Sequence, residues 1–119
     1  VEVAKGVKEL INIAKHTFSG KGTWHDQNLS EIVVICPPIL GELSNDLQWS
    51  NYIEWEGAFD KSKKLFNSIK HVTDEEKIYL IDSNQYIKSS NLDPIHWSKK
   101  THETFGKKVA DLIVDRIKL

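Results

Sequence analysis

The residues with the clearest chemical potential are Asp93 and His96, three positions apart in Asn91-Leu92-Asp93-Pro94-Ile95-His96-Trp97-Ser98. A carboxylate at this spacing can accept a hydrogen bond from His Nδ1–H. That bond fixes the tautomer and leaves Nε2 free to act as a base. A helix start follows, and its positive end disfavours imidazolium, which helps keep His96 neutral. The same residues also make a polar turn that opens a helix. Spacing alone leaves both readings open.

Other groups compete for a role. Asp82 ends an apolar run, where it serves as a second acid or as the polar end of a strand. His25-Asp26 is another possible pair, in a loop where a solvated turn is the simpler reading. His16, His71 and His102 fall on or near helix faces. His96 and His102 are six apart and would diverge on a helix, so no metal site is expected. Cys36 is the single cysteine, which excludes an internal disulfide, and its apolar setting reads as a buried small hydrophobe. The chain has ten serines, and none is chosen as a nucleophile. Ser98 is better used as a helix cap, and Ser89 and Ser90 lie in a loop.

Three helical and two strand patterns must position these groups. Val3, Val7, Leu10, Ile11, Ala14 and Phe18 form one face of a helix over about residues 2–17. The β-branched run Ile32-Val33-Val34-Ile35-Cys36 predicts a strand buried on both faces, stopped by Pro37-Pro38. A long irregular stretch runs to about Glu54. Ala58, Leu65, Phe66 and Ile69 mark a second helix over about 55–70. Ile78-Tyr79-Leu80-Ile81 lies in a second strand over 77–82. Phe105, Val109, Leu112, Ile113 and Ile117 mark a third helix over about 98–118, with the Ser98 hydroxyl as its N-cap. The order α-β-α-β-α predicts an α/β fold with a short parallel sheet. Two strands serve three helices poorly and leave two unpaired edges, so the fold is expected to be incomplete.

Composition narrows the function classes. The 119 residues are 39% hydrophobic and 28% charged, an ordinary globular mix. Sixteen basic against seventeen acidic residues leave a formal charge of −1, with no dense Lys/Arg block. Neither a nucleic-acid partner nor a membrane span is expected. The chain has no Met and opens on Val1 inside a helical pattern, which reads as a processed or excised piece. Localisation stays open: a cytoplasmic protein is favoured, but any signal would lie in the absent N-terminal part.

Taken in order, several stretches resemble the SGNH hydrolases, the GDSL esterase/lipase family. Asp93-Pro94-Ile95-His96, then Ser98, His102 and Phe105-Gly106, resembles the family's closing Asp-x-x-His motif. Ile32 to Pro38 resembles its strand with a Pro-rich turn. Glu56 to Ser62 resembles a helix start in the arylesterase-like branch, and Tyr79 to Asp82 the strand before the last motif. The resemblance runs from about residue 30 to 119. Trp97, Pro94 and Thr101 depart from the usual Leu, Gly and Gly.

The resemblance implies an incomplete three-layer α/β/α, flavodoxin-like fold, with residues 1–119 as the C-terminal part of one domain. It makes His96 the triad base and Asp93 the acid that orients it. It requires no cofactor. It implies a serine esterase acting on a small ester, whose nucleophile Ser and oxyanion donors lie in Gly-Asp-Ser and Gly-x-Asn-Asp motifs absent here. Ser44-Asn45-Asp46 follows the Pro-Pro turn, whereas the family's Asn-Asp precedes that strand, so it reads as a loop decoy. Pro38, Trp49, Tyr52 and Trp55 are candidates to line a substrate pocket, and the aromatics equally to cap the core. This chain alone is expected to be inactive and to pair with its missing half or with itself. The alternative is a non-enzymatic α/β interaction module in which Asp93 to His96 is only a capped turn.

Overall fold

The computed structural model describes residues 2–16, 31–42, 52–90 and 93–117. Helix α1 spans Glu2–His16, strand β1 Val33–Cys36, helix α2 Ala58–Glu76, strand β2 Tyr79–Asp82 and helix α3 Lys99–Ile117. Short 3-10 turns occupy Tyr52–Trp55 and Ser83–Gln85. The predicted order α-β-α-β-α holds among the described residues. Phe18, His25-Asp26, Asn45-Asp46 and Trp49 lie outside them.

The two strands pair in parallel, with Val33 opposite Tyr79 and Cys36 opposite Asp82. Side chains alternate across a strand, and this alternation sorts the core into two layers. Val34 and Ile78 pack with Ala4, Val7, Ile11 and Val72 of α1 and α2. Val33, Tyr79 and Ile81 pack with Phe105, Val109 and Leu112 of α3. The sheet is therefore sandwiched between helices, as an α/β/α architecture requires. Burial of Ile11 or Ile81, each only 2% exposed, contributes about 1.5–3 kcal/mol as an upper figure.

Three expectations need correction. The seam of α1 that packs against Val72 of α2 is Ala4, Val7 and Ile11, not the wider predicted stripe. Val3 and Leu10 are 57% and 67% exposed. Strand β1 is not buried on both faces. Cys36 is sealed, but Ile35 is 43% exposed, because α3 does not extend over it. Helix α2 runs to Glu76, six residues past the expected end. Those residues carry little apolar signal apart from Val72. Tertiary contacts extend the helix instead: Lys15 Nζ reaches the Glu76 carboxylate at 2.7 Å and its carbonyl oxygen at 3.0 Å. The cation sits at the negative end of α2. It holds the Glu76 carboxyl below the usual range.

A tight left-handed turn then redirects the chain. Lys77 has φ 55° and donates its N–H toward Asp74 O and Thr73 O. Ile78 N–H donates to Thr73 O at 2.8 Å, which starts the approach to β2. A non-glycine residue in this conformation costs roughly 1–2 kcal/mol.

Candidate functional site

The groups of interest gather at the carboxyl ends of the two strands, where open α/β sheets place their sites. Strand β1 ends at Cys36 and leads into Pro37-Pro38. Strand β2 ends at Asp82 and leads into the segment that carries Asp93 and His96.

Asp93 organises its own turn. Its Oδ1 accepts the His96 N–H at 2.9 Å and the Ile95 N–H at 3.2 Å. His96 Nδ1 lies 3.1 Å from both carboxylate oxygens. As the Nδ1–H tautomer the ring donates to Asp93 and leaves Nε2 unprotonated. The backbone bond from His96 lowers the Asp93 pKa most, and the Ile95 bond and the imidazole add to it against partial desolvation. The side chains are open to solvent, His96 at 80% and Asp93 at 54%. The residues between them are less open: Pro94 is buried and Ile95 half-buried.

Helix α3 begins just beyond. Thr101 N–H donates to Ser98 Oγ at 3.1 Å, so Ser98 serves as the cap. Trp97 packs edge-on against Phe105, with ring centroids 5.5 Å apart, and lies 5.1 Å from the His102 ring. The tryptophan in the leucine position thus anchors the helix start to the core. His102 is drawn into this aromatic contact and does not join Asp93.

Asp82 has a structural task. Its Oδ1 accepts Asn84 N–H at 3.0 Å and Asn84 Nδ2–H at 2.8 Å. Asn84 Oδ1 in turn accepts the Ile39 N–H at 2.7 Å. Cys36 is fully buried. Burial, and then the Asp82 carboxylate, push its thiol up to about 11. A thiol so protonated at neutral pH is a poor nucleophile. Ser83 Oγ is buried without a hydrogen-bond partner. Ser89 Oγ–H donates to Ile39 O at 2.8 Å. Ser83 opens the 3-10 turn directly after β2 but is fully buried, so its hydroxyl is not presented to a substrate.

Of the expected pocket residues, Pro38 is buried and lines an apolar groove of about 600 Å³ with Val3, Pro37, Leu40 and Leu65. Asp93 and His96 do not line it. Trp55 is half-buried in its one-turn helix. The side chain of Tyr52 and the whole of Trp49 lie outside the described residues. No group of three metal-binding side chains occurs among the described residues, and no described helix is long and apolar enough to cross a membrane.

The sequence did not reveal the straps that hold the Pro-Pro turn. Ile39 N–H is held by Asn84, Leu40 N–H by Ser62 Oγ at 3.2 Å, and Gly41 N–H by Pro94 O at 2.9 Å. The two side-chain partners are 45 and 22 residues away along the chain. Nothing local announces such bonds, although a glycine just after a Pro-Pro turn hints at a close approach.

No protein-family model matches the sequence, and no curated protein matches it. Solved structures do. The chain aligns with the native aryl esterase of M. smegmatis at TM-score 0.78 and 21% identity, over 96% of this chain and 51% of that one. Est24, a carbohydrate acetylesterase from Sinorhizobium meliloti, gives 0.78 and 24% over the same shares. A carbohydrate acetylesterase family member from the same organism gives 0.80 and 18%, over 98% of this chain and 52% of that one. The chain shares the fold of about half of each of these structures. At these identities the likeness carries the fold, and the chain spans about half the length of each structure named.

Proposed function

We propose that this chain is the C-terminal, acid–base portion of an SGNH-type serine esterase. His96 acts as the base and Asp93 orients it. The supporting observation is the Asp93–His96 pair, Nδ1 against both carboxylate oxygens, carried beyond the second strand of a fold shared with esterases. In the complete enzyme a serine from the other half attacks an ester carbonyl. His96 Nε2 takes its proton and passes it to the leaving alcohol, while Asp93 stabilises the imidazolium. The substrate is a small ester.

The exposure of Val3, Leu10 and Ile35 fits this reading. Among the described residues β1 pairs only with β2. A further strand and its covering layers, from the other half or a second copy, would bury that flank. The same exposed flank favours the alternative of a non-enzymatic α/β interaction module.

Extension of the reading frame upstream of Val1 separates the two. A strand leading to Gly-Asp-Ser is expected, and the extended chain should hydrolyse short aryl esters. Asp93→Asn should lower turnover by on the order of 10⁴, as in the serine-protease template, and His96→Ala by about 10⁶. An upstream sequence without such a serine supports the module. Residues 1–119 alone should show no hydrolysis, and activity abolished by His96→Ala would overturn that.

A further inference from the structure

Gly41 is buried, and its backbone touches the middle of the Asp93–His96 turn. Its N–H donates to Pro94 O at 2.9 Å. A Cβ built at Gly41 would collide with the Ser90 carbonyl oxygen and would lie 2.9 Å from both Pro94 Cα and Pro94 Cβ. The obstacles include backbone on both sides of Asp93, so no flexible side chain can yield the space. Conformational freedom is not what selects glycine here, since Gly57 is the glycine with positive φ among the described residues. Close approach selects it.

The contact is well placed to matter. Pro94 lies between Asp93 and His96, and both flanking side chains face solvent. Their mutual geometry therefore depends on how the turn's backbone is held. Gly41 is itself held, because the preceding amides of Ile39 and Leu40 are tied to Asn84 and Ser62. Ser89 adds a bond back to Ile39 O.

We propose that Gly41 is a positioning residue for the Asp93–His96 pair, locking the turn through a backbone approach that no larger residue permits. This rests on the acid–base role proposed for that pair. Gly41 touches no reacting atom. It sets the Pro94 carbonyl, and through it the angle at which Asp93 meets Nδ1.

The test is a ¹⁵N–¹H spectrum of the His96 imidazole in the full 119-residue chain above its titration range. The wild type should show the Nδ1–H tautomer as the dominant neutral form, and Asp93→Ala should lose that preference. Gly41→Ala should also lose it while amide shifts in α1 and α2 stay in place. A merely structural role would leave the tautomer unchanged in the folded variant. Ser89→Ala loosens the same strap without adding an atom and should show a partial loss. If wild-type His96 has no Nδ1–H preference, the acid–base reading falls and the Gly41 proposal falls with it. If the wild type has it and folded Gly41→Ala keeps it, Gly41 alone is overturned. Should Gly41→Ala fail to fold, a wild-type tautomer in Ser89→Ala overturns the proposal.

Discussion

Along residues 39–41 three successive backbone N–H groups each find an acceptor, supplied by α2, by the turn after β2 and by the Asp93–His96 turn. At Ile35 of β1 and on the outer face of α1 the opposite holds. Ile35 is 43% exposed, and Val3, Leu10 and Ile13 of α1 are each more than half exposed. The first region is complete in its polar contacts. The second presents apolar surface that a folded domain normally covers. Hydrogen bonds can close within a short reach, whereas apolar coverage needs whole layers of chain. The neighbourhood of the Asp93–His96 pair is thus self-sufficient even where the layers around it are not.

Three perturbations probe that contrast. The largest effect is expected for Asn84→Ala, which leaves the Ile39 N–H without its acceptor and takes from Asp82 one of its two bonds to residue 84. A buried group stripped of its bond costs about 1–3 kcal/mol, to be read from urea unfolding. A loss no larger than that of an exposed substitution would show the strap to be incidental. The next effect comes from acid. The folded Asp93 pKa is depressed, so its contribution is fully present above the unfolded value of about 3.9 and is lost as pH falls through the lower folded value. The amide resonances of Ile95 and His96 should shift in that acidic window while those of α1 hold. A midpoint at or above about 3.9 would contradict the geometry. The smallest effect on stability is expected on the flank. Leu10→Lys with Ile35→Thr should change the unfolding free energy by no more than about 0.5 kcal/mol per site, yet reduce any self-association seen by light scattering. A large loss of stability would mean that the flank is already covered.

These differences also explain what the sequence could disclose. Asp93, His96 and Ser98 act within a few residues of one another, so their bonds follow from local spacing. The parallel pair was readable because Ile32 to Cys36 and Ile78 to Ile81 are apolar runs set off by helical patterns. The seam of α1 was readable at Val7 and Ile11 but not at its edges, since Ala4 is small and Leu10 is large, and size invites the wrong choice there. The end of α2 depends on Lys15, far along the chain. The Gly41 strap depends on residues brought together only by folding, and no periodicity encodes it.

Cys36 has one more consequence. Its thiol is sealed at the end of β1 and held in the protonated form, on a strand that pairs only with β2 among the described residues. An alkylating reagent can reach it only when the packing around it opens. The single sulfur is therefore a clock within the sheet: its labelling rate, followed at fixed pH, counts local openings at the end of β1. Slower labelling in a longer chain or an assembled complex would report how firmly the added layers hold that packing closed.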